Sequence, residues 1–384
     1  MKVLFIHSRY LVAGGEEVVL KLESELLKCE HEVEVLEFVN KYGFPGFFQF
    51  LISIWNPFAG YKLRKTIKRF KPDIIHIHNW HFACGPIVIR QAKYLNVPIV
   101  MTLHNFRLLC PSATLLKNGE IFTQSLKVEF PWYAIRKKVY RNSYFQTFWL
   151  SFIVWFHNKI GTWEMVEKYI VPSPHIIELF KQSVFKFPLE RFIVKPNFVF
   201  PGNYSGVSRG KYFLYVGRLS VEKGLNVLLE AFGKINSELV IVGAGPLQAE
   251  VELAATKNSN IHFKGELQRA DVFKLLQECT ALIFPSIWYE TFGLVIIEAF
   301  SVKTPVIASK IGASATLVES GYNGLHIRPG SAANLIEKLE EWIMLTEEEK
   351  RIKGENAEHT FKANFSPEQN AKLLTGIYLS VCNN

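Results

Sequence analysis

Glu290 and Glu298 stand eight positions apart in the run Glu290-Thr291-Phe292-Gly293-Leu294-Val295-Ile296-Ile297-Glu298. Pro285-Ser286 marks a turn before this run and the apolar stretch Leu294 to Phe300 follows it, so the pattern predicts a helix start between the two acids, with Glu298 in the second turn. A helix start offers amide N–H groups without intrahelical acceptors and the positive end of the dipole, which suits a phosphate. Gly293 lets a ligand approach the backbone closely. Carboxylate oxygens only accept hydrogen bonds, so the two acids suit the hydroxyls of a sugar or ribose rather than the phosphate beside them. The expected ligand is both a phosphate and a polyol.

Arg218 and Lys223 flank a glycine-bounded turn in Val216-Gly217-Arg218-Leu219-Ser220-Val221-Glu222-Lys223-Gly224. An Arg fork and a Lys point charge at a strand's carboxyl end could together neutralise a diphosphate, the alternative being two ordinary surface cations. Val242-Gly243-Ala244-Gly245-Pro246-Leu247 resembles a dinucleotide fingerprint but has Gln248 at the third glycine position and Ile261-His262-Phe263 where the acid belongs. Hydride transfer is therefore excluded, while a tight turn at Gly243 and Gly245 beside a phosphate remains. Gly14 and Gly15, in Ala13-Gly14-Gly15-Glu16-Glu17, form a second glycine loop at a strand-to-helix turn after the first strand, either an ordinary loop or a functional one. His76, His78 and His81 have metal-ligand chemistry but no nearby carboxylate or cysteine in sequence to complete a site. His104, at the end of the expected strand Ile99–His104, is the better catalytic candidate, with a structural histidine as the alternative.

These loops need sheets to hold them. Strand-length apolar runs alternate with helical patterns along all 384 residues, the signature of parallel sheets with crossover helices. The first half offers Val3–His7, Glu32–Phe38, Ile74–His78, Ile99–His104 and Tyr169–Pro172, and the second Tyr212–Gly217, Glu238–Gly243, Ile261–Gly265, Ala281–Pro285, Pro305–Ala308 and Gly324–Ile327. The chain is too long for one core and fits two domains of roughly 200 residues. The stretch Val194 to Gly210, rich in Pro, Gly, Ser and Asn, reads as the linker, which puts the boundary near Asn203. Ligands of doubly wound sheets bind outside the carboxyl ends of the strands, so two facing sheets enclose a cleft.

The net charge of +9 calls for an anionic partner. From Phe130 to Trp163, Trp149, Trp155 and other aromatics interleave with Arg136 and Lys137, a composition that fits contact with an anionic membrane surface, plain helical packing, or base stacking without any recognised nucleic-acid signature. Five scattered cysteines without a C-x-x-C pair argue against disulfides and zinc, and for a reducing cytosol. Lys2 to His7 reads as a buried strand, not a signal peptide, and the longest apolar run, Phe148 to Phe156, is about half of what a bilayer span needs.

Taken together, the chain resembles the family-4 retaining glycosyltransferases of GT-B architecture, an α/β class with two doubly wound, parallel-sheet, Rossmann-like domains facing an interdomain cleft. The likeness covers nearly the full length and is most specific where the Arg218–Lys223 turn, the Gly-x-Gly-Pro-Leu turn, Phe284-Pro285-Ser286 and the paired glutamates follow in the family's order. It implies an acceptor domain over 1–202, a donor domain over 203–366, and a C-terminal helix from about Pro367 crossing back. It also implies Arg218 and Lys223 on the diphosphate of a nucleotide sugar, Glu298 on the ribose, Glu290 on the donor sugar, and the backbone of Thr291, Phe292, Gly293 and Leu294 near sugar and phosphate. Gly265 would border the base, Gly14 and Gly15 would close over the diphosphate, and His104 would contact the transferring sugar or the acceptor.

No Asp-x-Asp pair occurs in a strand-to-loop setting, as in a family that needs no divalent metal or other cofactor. The His104 to Pro111 and Leu115 to Glu120 segments are similar to bacterial enzymes of capsule, exopolysaccharide and lipopolysaccharide synthesis. The implied activity is transfer of a sugar from UDP, or GDP, onto a glycan or polyprenyl-linked acceptor at the inner face of the plasma membrane. A GT-B phosphorylase, a nucleotide-sugar epimerase and a non-catalytic binding scaffold are the rival readings.

Overall fold

The computed structural model describes residues 1–10, 14–185, 187–202, 206 and 209–383. The chain divides into two compact units, one of residues 1–197 with 370–384 and one of 198–369. The boundary expected near Asn203 falls outside the described residues.

The sheet of the first unit has the order β2-β1-β3-β4-β7-β8, from β1 (Lys2–Arg9), β2 (Glu32–Val39), β3 (Ile74–Asn79), β4 (Ile99–Thr102), β7 (Lys168–Val171) and β8 (Phe192–Val194). Its pairings are all parallel, and Val3 to Ile6, buried on both faces, show the continuous apolar run such a sheet requires. Between β4 and β7, β5 (Leu116–Lys117) and β6 (Glu120–Ile121) form an antiparallel hairpin. Asn118 and Gly119 both take positive φ in its two-residue turn, as the right-handed strand twist demands. The short edge strand β8 and this hairpin are absent from the expected strands, because each is too brief to show a period.

The second unit repeats the plan with the order β11-β10-β9-β12-β13-β14: β9 (Phe213–Val216), β10 (Leu239–Val242), β11 (Ile261–Phe263), β12 (Ala281–Phe284), β13 (Val306–Ser309) and β14 (Gly324–Ile327). All pairs are again parallel. In both units the order doubles back from a central strand, which makes each sheet doubly wound and sets a switch point at its carboxyl edge.

The helix Pro367–Cys382 delivers Leu374, Ile377, Tyr378 and Val381 to a core of the first unit, against Val3, Phe5, Leu20, Ile74, Val100 and Ile170. Each such side chain stabilises by about 1.5–3 kcal/mol when buried. The last helix of the chain is therefore structural for the first sheet. Among the described residues no helix is long and apolar enough to cross a membrane.

Candidate functional site

In the second unit the strand-end loops are knit together by backbone bonds. The Gly217 amide donates to Val242 O (3.1 Å), the Leu219 amide to Ala244 O (3.0 Å) and the Gly243 amide to Gly265 O (2.8 Å). Gly243 has φ +139° and a Cβ there would lie 1.9 Å from Gly217 O, so only glycine fits at this crossing of two loops. Gly245 lies under Leu219 in the same crossing, whereas Gly265 faces open space. Arg218 is exposed on this edge with no ion pair among the described residues.

Beside this edge, Lys223 Nζ donates to Glu290 Oε1 at 2.6 Å, and Ser286 Oγ donates to the same oxygen at 2.8 Å. Lys223 also stands 5.6 Å from the Trp288 ring centroid. Glu290 is buried, and its backbone carbonyl accepts from the Ala313 amide (3.0 Å). Gly312 backs it closely: a Cβ would come within 2.7 Å of the Glu290 nitrogen. The structure joins Lys223 and Glu290, which the sequence reading had treated singly, in one ion pair. A buried carboxylate needs a compensating cation, and Lys223 is the one within reach. An ammonium carries three donors, so Lys223 keeps two after serving Glu290.

The helix Leu294–Ser301 begins at Gly293, with Leu294 half-buried in its first turn, Phe292 buried against Phe365, and Thr291 half-buried before it. Glu298 lies in the second turn, and Arg269 Nε approaches its Oε1 to 3.3 Å. Burial raises the Glu298 carboxyl above its usual range, with Arg269 opposing. Arg269 and Gly312 went unnoticed in the sequence, because neither lies in the runs that announce the site.

The first unit holds a second concentration of polar groups. Gly14 caps the helix Gly15–Leu27, and its amide donates to Glu17 Oε2 at 2.7 Å; Ala13 lies outside the described residues. Glu16 accepts from Asn79 Nδ2 at 2.6 Å. Burial pushes the Glu16 carboxyl up to about 8, its neighbour Glu17 adding to the shift and Arg107 opposing it. Burial likewise pushes Tyr10 up to about 12. Arg107 Nη2 stands 3.5 Å from Tyr10 Oη, while its buried Nε and Nη1 have no hydrogen-bond partner among the described residues.

Below this edge runs a buried chain of ionisable groups. Lys195 Nζ donates to Glu23 Oε1 at 2.7 Å, both side chains almost wholly enclosed. Glu23 Oε2 stands 3.4 Å from His78 Nε2, an electrostatic contact longer and less well aligned than an ordinary hydrogen bond. His78 Nδ1 lies 3.0 Å from His104 Nε2. Burial pushes Glu23 up, but Lys195 and His78 outweigh it and hold the carboxyl well below the usual range. Burial, with His78 adding to it, holds His104 well below the ordinary imidazole value, so the ring is neutral at neutral pH. The His78 and His104 rings thus meet through one hydrogen bond, whose donor is set by the tautomer.

β3 makes this chain possible. Its register against β1 shifts between Ile6/His7, pairing Ile6 with Ile77 and His7 with Asn79, so His78 is an extra residue on a bulge. β4 ends at Thr102, not at His104 as expected; the Leu103 amide makes a last bond to Ile170 O and the chain then leaves the sheet. The histidine triad weighed as a metal site does not form. His81 packs against Phe82, and both His76 nitrogens are taken, by Tyr378 Oη and Thr102 Oγ1 at 2.7 Å each. Glu23, His76 and His78 do come together, yet Glu23 already serves Lys195.

Of the residues expected to meet a membrane, Trp149 and Trp155 are half-buried, Trp149 Nε1 donating to Phe50 O (2.8 Å) and Trp155 stacking on Phe152, while Arg136 and Lys137 are exposed.

The sequence matches Glycosyltransferase Family 4 over residues 12–201 and Glycosyl transferases group 1 over residues 205–360. The chain belongs to the family-4 GT-B glycosyltransferases. This glycosyltransferase is similar to O-antigen chain mannosyltransferase C of Escherichia coli, 30% identical over 52% of this chain and 55% of that protein. It is 34% identical to the D-rhamnosyltransferase WbpZ of Pseudomonas aeruginosa over 41% of this chain and 42% of that one. The alignments thus span about half the length of these curated relatives. Anabaena HepE, solved in complex with UDP, shares the GT-B fold over 99% of this chain and 100% of its own, with TM-score 0.71 at 19% identity.

Proposed function

We propose that this glycosyltransferase moves a sugar, with retention of anomeric configuration and without a divalent metal, from a UDP-sugar to a glycan acceptor carried on a lipid. The observation that carries the reading is the second unit's edge, where the Glu290–Lys223 pair and Glu298 bracket the start of the helix Leu294–Ser301 beside the exposed Arg218. Arg218, the two remaining donors of Lys223 and the first helical amides supply positive potential for a departing diphosphate. Glu298 takes ribose hydroxyls and Glu290 takes those of the donor sugar, its charge held in place by Lys223. His104, held neutral by burial, serves a sugar hydroxyl by hydrogen bonding rather than by charge. The O-antigen enzyme among the relatives supports a role in cell-surface polysaccharide assembly at the cytosolic face of a bacterial membrane.

The test is to incubate the protein with UDP- and GDP-sugars in excess chelator, together with polyprenyl-linked acceptor glycans, and to determine the new linkage by NMR. An α product from an α donor supports the reading. Donor consumption without a glycoside would support an epimerase or phosphorylase instead.

A further inference from the structure

The helix Gly43–Ile52 has the sequence Gly-Phe-Pro-Gly-Phe-Phe-Gln-Phe-Leu-Ile, yet Phe50 is its only buried residue. Phe44 is 82% exposed and Phe47 and Phe48 about half exposed. Phe58 and Tyr61, on the next helix, are 68% and 71% exposed. A helix apolar on all sides belongs in a core or against a membrane, and an exposed one marks a contact surface. On its inner side the helix is fixed: Phe47 and Phe50 pack on Phe145, and Trp149 bonds its backbone. The outward phenylalanines therefore project from a held element.

Two cavities of about 430 Å³ flank this helix. One is lined by Tyr10, Lys41, Phe47, Phe50, Tyr140 and Arg141, and reaches the carboxyl edge of the sheet at Tyr10. The other is apolar, between Phe38, Phe48, Ile52 and Phe58, with Lys41 and Lys62 at its border. Neither lining contains an acid, and Lys41 belongs to both. Behind the first cavity, Arg107 and Arg141 stand 5.9 and 5.4 Å from the Tyr140 ring centroid, Arg107 also acting on Glu16. Lys41 and Arg141, with no ion pair among the described residues, stand beside an aromatic slot that shares Lys41 with an apolar groove, and this fits one kind of ligand: a phosphate head joined to a hydrocarbon tail.

We infer that the Gly43–Ile52 helix is a membrane wedge, and that the cavities beside it hold a membrane lipid, its phosphate at Lys41 and Arg141 and its chain along Phe48 and Phe58. The inference rests on the lipid-linked acceptor proposed above and names where that lipid is held. It moves the membrane contact from Trp149 and Trp155 to phenylalanines that are free to insert.

The experiment is flotation of the full chain with vesicles of phosphatidylcholine alone or doped with polyprenyl phosphate. It is done for wild type, Phe44→Ser/Phe48→Ser and Lys41→Gln/Arg141→Gln, with UDP affinity measured on each as a control for the donor site. Wild type is expected to float with the doped vesicles. The phenylalanine variant should lose flotation on both kinds, and the cation variant should lose more than about tenfold of the gain from polyprenyl phosphate, with UDP affinity unchanged in each. Equal flotation of all three proteins overturns the inference. So does self-association in free solution that Phe44→Ser/Phe48→Ser abolishes, since the face would then meet a second copy. Failure of UDP binding in wild type counts against the proposed function and not against the wedge.

Discussion

In the second unit the acids and bases gather at strand ends, a partly exposed Lys223 reaching the buried Glu290 across 67 positions of chain. In the first unit they are sealed inside, Lys195 reaching Glu23 across 172 positions, with His78 and His104 continuing the line. The first arrangement leaves donors over for a ligand. The second leaves none of its charge to solvent, and it keeps His104 neutral. One unit is built to bind charge and the other to fix the state of a neutral group, and their responses to mutation should differ accordingly.

The largest expected effect is in the sealed chain. Lys195→Met strands the Glu23 carboxylate and should destabilise the protein by about 3–5 kcal/mol in denaturant unfolding. Lys195→Met with Glu23→Gln should lose less than Lys195→Met alone, because no unpaired charge remains. Equal losses would mean that the pair is held by packing alone, and the comparison would break.

Next in size is a pH effect confined to the first unit. The Glu16 carboxyl rises from the ordinary 4.5 to about 8 on folding, so the folded state favours its proton. Stability from this group is fully present below the lower value and is lost as pH rises through the higher one. Glu16→Gln should flatten the fall in Tm across that window. A Tm profile identical to wild type would show that the group is solvated in the folded protein.

A smaller effect is expected at the partly exposed pair. Lys223→Met should cost about 1–3 kcal/mol of stability, less than Lys195→Met, since Lys223 is partly exposed and Ser286 still serves the buried Glu290, while weakening UDP affinity about tenfold, or about 1.4 kcal/mol. A stability loss as large as that of Lys195→Met would erase the contrast between the units. Smallest is Glu298→Gln, which removes a carboxylate that burial disfavours. Its Tm should stay level or rise slightly by calorimetry, even as nucleotide binding weakens.

The same contrast explains what was legible in the sequence. The parallel sheets showed through apolar runs such as Val3 to Ile6, and the donor-type edge through glycines and paired acids within short segments. Arg269 stayed invisible because a lone arginine at a helix start looks like any surface cation until its partner Glu298 is placed. Glu23 and Lys195 stayed invisible because a buried pair so far apart in sequence leaves no local pattern, and the bulge that admits His78 has no signature in β3. Composition also counts aromatics without showing which ones make packing contacts, as Trp149 and Trp155 do here.

The most direct test of the central claim is isothermal calorimetry with UDP and GDP in metal-free buffer, on wild type, Glu298→Ala, Arg218→Ala and His104→Ala. The account predicts micromolar binding of UDP that falls at least about tenfold with either second-unit variant and is unchanged in His104→Ala, whose neutral imidazole serves sugar and not diphosphate. Binding that needs added divalent metal, or that survives loss of Glu298 and Arg218 unchanged, would contradict it.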